Sequence, residues 1–90
     1  MTFEVLIKKD VKKKIRQLPK AHYAKIKKFL DILKFEAVPY HSFDIEHLKG
    51  TANISAYRVR IGKYRLVYVV EWNTGIITVL RLDVRGKMYK

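Results

Sequence analysis

Three arginines in the C-terminal half of the chain have a spacing suited to binding anions. Arg58 and Arg60 alternate with apolar residues, and Arg65 lies in a second run that begins at Tyr64, after Gly62-Lys63. The alternation predicts two β-strands, and Gly62-Lys63 predicts a two-residue hairpin turn with glycine at positive φ. Because a two-residue turn fixes the register, Arg60 should lie opposite Arg65, with Arg58 on the same sheet face.

This predicted face favours a phosphate ligand. Like charges directly opposite each other destabilise a sheet, and we expect no acidic residue near the arginines before Glu71. A guanidinium forms bidentate hydrogen bonds with phosphate and keeps its charge, so RNA or DNA is the expected polyanion. The alternative is a solvated basic face that only keeps the sheet soluble.

Composition agrees with a polyanionic partner. The 90 residues include 20 Lys and Arg against 8 Asp and Glu, a formal net charge of +12, with the basic residues concentrated in 1–30 and 57–90. No cysteine is present, which excludes disulfides, thiolate catalysis and zinc–thiolate or iron–sulfur sites. We find no linker, no signal peptide and no apolar run of membrane-spanning length, and therefore expect a single cytoplasmic domain, residues 1–90, that does not contact a membrane.

The elements that must position the arginines follow from hydrophobic periodicity. Phe3 to Ile7 alternates as a first strand, Asp10 is a candidate helix cap, and Pro19 separates two amphipathic helices. Residues 37–56 lose periodicity and are expected to form a long connection, and Ile76 to Leu82 returns as a strand. The sequence predicts an α+β domain: an N-terminal strand, a helical hairpin and a three-stranded antiparallel meander (β-α-α-β-β-β), with the helices covering the face opposite the arginines.

The helices themselves carry a second basic surface. It consists of Lys12, Lys13, Arg16, Lys25, Lys27 and Lys28. Such a run is often only a solvated helix face. Its breadth is also suited to salt-dependent docking on an RNA backbone, and Lys87 is a further candidate RNA contact near the C-terminus.

Histidines would be the candidate catalytic residues if the bound polyanion were RNA to be cleaved, because paired imidazoles titrate near neutral pH. His22 falls at the edge of the second helix's apolar stripe and is expected to be partly packed. His41 and His47 lie near Asp44 and Glu46, a grouping that could coordinate a metal, but a polar loop is the favoured interpretation. We predict no metal and no cofactor.

Several motifs, in order and spacing, resemble one protein family. They are Leu18-Pro19-Lys20, Leu48-Lys49-Gly50, the two runs around Arg58 and Arg65, then Arg85 and Tyr89. Over essentially the whole chain the sequence resembles the RelE toxins, particularly archaeal ones, of the RelE/ParE superfamily of type II toxin–antitoxin systems. Arg58 and Arg60 stand where bacterial members often have lysine, and fewer residues separate Arg85 from Tyr89 than in those members, which leaves the role of Tyr89 open.

The resemblance implies a ribosome-dependent endoribonuclease that cleaves mRNA in the ribosomal A site and so inhibits translation. Its catalytic positions fall on Arg58, Arg60, Arg65, Arg85 and Tyr89. On this basis Arg65 and Arg85 would stabilise charge at the phosphate, Arg58 and Arg60 would bind phosphate or protonate the leaving group, and Tyr89 would stack on a base or transfer a proton.

The resemblance also implies partners: a RelB-like acidic antitoxin, the ribosome with its mRNA, and operator DNA only through the antitoxin complex. Val67 and Val69 beside the arginines give an acidic amphipathic segment a mixed surface to cover. Two other functions remain open on this fold, a non-catalytic basic nucleic-acid-binding or co-repressor domain and a ParE-like inhibitor of DNA gyrase.

Overall fold

The computed structural model describes residues 2–84, which form one mixed sheet and two helices. In chain order the elements are β1 (Glu4–Ile7), α1 (Lys9–Arg16), α2 (Lys20–Leu33), β2 (Asp44–Gly50), β3 (Ile54–Ile61), β4 (Tyr64–Glu71) and β5 (Ile76–Val84). The predicted N-terminal strand, helical hairpin and C-terminal meander are all confirmed. No helix within residues 2–84 is long and apolar enough to cross a membrane.

The sheet has the strand order β1-β5-β4-β3-β2. Strands β2, β3, β4 and β5 pair antiparallel with one another, while β1 lies parallel to β5 at one edge, with Glu4 beside Ile76 and Ile7 beside Val79. The helices between β1 and the rest of the sheet make the long crossover that a parallel pair requires. The sheet is therefore mixed rather than purely antiparallel.

Strand β2 is the element that the sequence did not reveal. It occupies part of the segment expected to be an irregular connection, and it pairs with β3 at the other edge of the sheet. Its residues are nearly all exposed, and the register shifts between His47 and Lys49, so it shows little of the apolar alternation that marks a half-buried strand. An edge strand of this kind is held by pairing with its neighbour.

The helices begin and end close to the predicted positions, but α1 is not capped as expected. Lys8 is the N-cap residue and makes no side-chain capping hydrogen bond, while Asp10 lies within the first helical turn. Asp10 is therefore not the cap; its carboxylate still suits the positive end of the helix dipole there. Pro19 precedes α2 as its N-cap residue.

The core lies between the helices and one face of the sheet. The buried helical residues are Val11, Ile15, Ile26, Phe29, Leu30 and Leu33. They pack against the inward residues of β3, β4 and β5, which include Val59, Leu66, Tyr68 and Val79. Strict alternation in β4 buries every second side chain and turns Arg65, Val67 and Val69 to the opposite face.

Tyr68 ties the connection after α2 to this core. Its ring stacks on Tyr57 at 5.5 Å between centroids and meets Phe29 edge-on at 5.7 Å. Its hydroxyl donates a 2.8 Å hydrogen bond to the carbonyl oxygen of Ala37. Burial, and then the nearby Tyr57 and Tyr40 hydroxyls, raise the pKa of Tyr68 far above its usual value, so this hydroxyl keeps its proton.

Candidate nucleic-acid interface

The three arginines lie together on the sheet face that the helices leave uncovered. Arg60 is directly opposite Arg65, and Arg58 is directly opposite Val67. Gly62 has φ of 59° in the intervening turn, as a primed hairpin turn requires. The predicted register and the predicted common face are both confirmed.

Strand β2 adds two carboxylates to this face. Asp44 lies opposite Arg60 and Glu46 lies opposite Arg58. A Glu46 carboxylate oxygen accepts a hydrogen bond from Arg58 Nη2, and an Asp44 carboxylate oxygen lies 3.7 Å from Arg60 Nη1. The expectation of no acidic residue near the arginines is therefore wrong, because sequence alone did not show that β2 pairs with β3.

The structure also shows what the acidic residues and two of the histidines contact. Within residues 2–84 no three metal-ligating side chains lie close enough to hold a metal ion. His47 packs beside Tyr57 with ring centroids 5.2 Å apart, and the ring of His22 meets that of Tyr64 edge-on at 5.1 Å. Asp44 and Glu46 face the arginines, which gives both carboxylates a partner other than a metal.

A fourth arginine on this face was not predicted. Arg81 in β5 lies opposite Val67, and Asp83 lies opposite Arg65. Arg81 and Asp83 form an ion pair of 3.0 Å. The register shift between Val67 and Tyr68 brings Arg81 onto the arginine side, and such a bulge is not visible in the alternation of β5 alone. We call Arg58, Arg60, Arg65 and Arg81 the arginine face.

The arginine face is shallow. Asp44, Glu46, Arg58, Arg60 and Arg65 line a depression of about 30 Å³. A nucleotide cannot enter it, so a polyanion would lie across the face and touch the arginines through its backbone.

An apolar area continues the same face toward the β2–β3 turn. It contains Ile54, Ala56 and Val69, which with Lys49, Gly50 and Thr51 line a concavity of about 420 Å³. Val67 joins this area to the arginines by its position opposite Arg58. The uncovered side of the sheet thus has a charged half and an apolar half.

The helical basic surface lies on the other side of the molecule. Its six residues, Lys12, Lys13, Arg16, Lys25, Lys27 and Lys28, are all exposed. Lys27 forms a 3.4 Å ion pair with Asp31. Because the sheet separates the two basic regions, the structure does not bring these lysines to the arginine face. Arg85, Lys87 and Tyr89, the remaining predicted site residues, lie outside the described residues.

The geometry supports binding and charge stabilisation better than proton abstraction. Arginine guanidinium groups donate hydrogen bonds and stay protonated, so they can stabilise charge on phosphoryl oxygens but are poor bases. The carboxylates in the depression are held by ion pairs with Arg58 and Arg60. Such a site needs help in placing the reacting groups of a substrate.

Comparison with known proteins finds a relative that matches this chain over its full length. No family model matches the sequence. RelE1 of Methanocaldococcus jannaschii, a protein assigned as a toxin, is 41% identical over 90 residues, which cover 100% of this chain and 98% of RelE1.

Solved structures show the same similarity. The crystal structure of the archaeal RelE–RelB complex from Pyrococcus horikoshii contains a chain that is 45% identical, with a TM-score of 0.90, covering 97% of this chain and 99% of that one. A chain of the RelB–RelE antitoxin–toxin complex from Methanococcus jannaschii is 26% identical, with a TM-score of 0.69, covering 93% of this chain and 94% of that one.

Proposed function

Because this chain belongs to the RelE toxin family of type II toxin–antitoxin systems, we propose that it is a ribosome-dependent endoribonuclease that cleaves mRNA in the ribosomal A site. The observation that carries this proposal is the arginine face itself. Arg58, Arg60 and Arg65 lie on the sheet face that the helices leave uncovered, which supports a role in binding phosphates. Cleavage there would stop translation.

The arginines could supply one component of RNA cleavage, the stabilisation of developing negative charge. When the 2′-hydroxyl attacks the adjacent phosphorus, negative charge grows on the phosphoryl oxygens and on the departing 5′-oxygen. Arg65 is proposed to stabilise the phosphoryl oxygens, and Arg58 and Arg60 to hold the flanking phosphate and assist the leaving group. Arg85 and Tyr89 are carried into the proposal by family resemblance, for charge stabilisation and for base stacking or proton transfer.

The dependence on the ribosome follows from what the arginines lack. A guanidinium is a poor acceptor of the 2′-hydroxyl proton, and a shallow face does not orient a flexible RNA. A ribosome that holds the mRNA in a fixed conformation would supply the missing orientation. The helical basic surface, on the opposite side of the sheet, is proposed to dock on ribosomal RNA while the arginine face meets the mRNA.

The uncovered sheet face also suits an antitoxin. Its charged half and its apolar half lie side by side, so an acidic amphipathic segment could neutralise the arginines and bury Val67, Val69 and Ile54 together. The related structures from P. horikoshii and M. jannaschii are complexes with RelB. We therefore propose a RelB-like antitoxin as partner, and contact with operator DNA only through that complex.

The test is mRNA cleavage in a reconstituted translation reaction, mapped by primer extension with and without ribosomes. We expect cuts within codons only when ribosomes are present. Arg58→Ala and Arg65→Ala should abolish them, while Lys63→Ala in the adjacent turn serves as a control for loss of one positive charge. Inhibition of gyrase supercoiling without any effect on translation would replace the proposal with a ParE-like activity.

A further inference from the structure

Three of the chain's eight acidic residues lie at the arginine face, and two of them, Glu46 and Asp44, contact Arg58 and Arg60, which are proposed to bind RNA. Glu46 and Asp44 alternate along β2, so both carboxylates reach the same side as Arg58 and Arg60 on β3. In a chain of net charge +12, this placement puts scarce negative charge where the proposed function needs positive charge.

The side chains in these two ion pairs are not buried, so none of them needs a partner to offset the loss of water. The side chains of Glu46 and Asp44 are 60% and 69% exposed, and those of Arg58 and Arg60 are 37% and 49% exposed. Exposed ion pairs contribute little to folding stability. Beyond offsetting part of the repulsion between Arg60 and Arg65, the two carboxylates therefore add little to the stability of the fold.

The Glu46 carboxylate occupies a donor that a phosphate would use, and the Asp44 carboxylate lies near another. The Glu46 oxygen accepts from Arg58 Nη2, and the Asp44 oxygen lies close to Arg60 Nη1, at the terminal nitrogens of each guanidinium fork. Carboxylate and phosphate both bind to this fork. An RNA phosphate can engage Arg58 or Arg60 fully only after the carboxylate has moved away.

We propose that Glu46 and Asp44 are specificity-determining residues that compete with RNA phosphates for Arg58 and Arg60, so that free RNA binds weakly and only RNA held in place displaces them. The inference rests on the proposed function for its substrate class. It deepens that function by explaining how a strongly basic protein can discriminate against unstructured cellular RNA.

The test is equilibrium binding of a fluorescently labelled single-stranded RNA, measured by anisotropy over a range of salt concentrations without ribosomes. The variants are Glu46→Gln, Asp44→Asn and the double substitution. The matched control is Asp31→Asn, because Asp31 is also an exposed acid in two ion pairs, with Lys27 and Lys34, but lies on α2 away from the arginine face.

If the inference is correct, the double variant binds RNA roughly tenfold more tightly than wild type, and its log-affinity against log-salt slope steepens by about 1, as expected when one or two more phosphates are neutralised. Asp31→Asn should change affinity less than about threefold, since it removes one negative charge beside Lys27 of the helical basic surface but frees no donor of the arginine face. A double variant that binds RNA no more tightly than Asp31→Asn would overturn the inference.

A second measurement uses the unmodified chain and does not depend on variant folding. Titration with pyrophosphate, followed by NMR of the arginine Nε–Hε resonances, should shift the signals of Arg58 and Arg60 only at higher pyrophosphate concentrations than that of Arg16, an exposed arginine on α1 away from these carboxylates. Equal or earlier saturation at Arg58 would contradict competition by Glu46.

Tighter RNA binding by the double variant without any ribosome-dependent cleavage by wild type would refute the nuclease activity and leave the proposed competition intact.

Discussion

Arg60 and Arg65 lie directly opposite each other on β3 and β4, and both project from the sheet face that carries no helix. Two like charges in this relationship work against strand pairing. Asp44 beside Arg60 offsets part of that repulsion. The arrangement thus assigns the arginines to ligand binding more readily than to stability.

Replacing Arg60 should therefore leave the fold intact. In Arg60→Gln the loss of an exposed ion pair and the relief of repulsion with Arg65 oppose each other, and the free energy of unfolding should stay within about 0.5 kcal/mol of wild type. Urea denaturation measures this, with Lys28→Gln on α2 as the control. A loss above 2 kcal/mol would show that Arg60 has a structural role.

Tyr68→Phe should destabilise the protein by about 1 to 2 kcal/mol, because it leaves the Ala37 carbonyl without the hydrogen bond that the hydroxyl donates inside the core. Guanidinium chloride denaturation measures the change. Tyr40→Phe is the control, since Tyr40 is 57% exposed and should lose less than about 0.5 kcal/mol. Equal effects of the two substitutions would contradict the role given to Tyr68.

The stability of the wild-type protein should also depend on alkaline pH through Tyr68. Its pKa is raised on folding by burial, so the unfolded chain loses this proton at a lower pH than the folded chain. The stabilising contribution is fully present below about pH 10, the ordinary tyrosine pKa, and declines as the pH rises above it. Tyr68→Phe should reduce this alkaline decline; an unchanged decline would exclude Tyr68 as its source.

Gly62→Ala should cost about 1 kcal/mol, because an L-residue at φ 59° is strained even where space is free. A Cβ at Gly62 would meet nothing within 4 Å, so the loss of stability would come from the backbone conformation and not from a steric clash. Gly62→Asn should be destabilised less, since asparagine tolerates the left-handed region better than alanine. Thermal unfolding of both variants checks the order, and a reversed order would refute this account of the turn.

Neutralising the helical basic surface should weaken ribosome binding mainly at low salt. The triple variant Lys12→Gln, Lys13→Gln and Lys25→Gln should reduce the slope of log affinity against log salt by about 2. The same three positions changed to arginine keep the charge and provide the control. If the glutamine variant binds ribosomes with an unchanged slope, these lysines do not contact ribosomal RNA.

The sequence predicted the local relationships better than the distant ones. A two-residue turn and strict alternation were enough to pair Arg60 with Arg65 correctly, because both signals are carried within a few residues. The pairing of Glu46 with Arg58 depends on an exposed edge strand with a register shift, which leaves no clear period in the sequence. The position of Arg81 on the arginine face was not predicted for the same reason, because it depends on the register shift between Val67 and Tyr68.

The central claim, that the arginine face cleaves RNA rather than only binding it, is tested most directly by single-turnover kinetics. Wild type and Arg65→Ala would be mixed with ribosomes programmed with a defined mRNA, and cleavage rate and ribosome affinity would be measured on the same complexes. We predict that Arg65→Ala slows cleavage by roughly 100-fold or more while ribosome affinity changes less than about threefold. A cleavage rate that falls only in proportion to binding, or a wild-type protein that binds programmed ribosomes without cutting the mRNA, would contradict the claim.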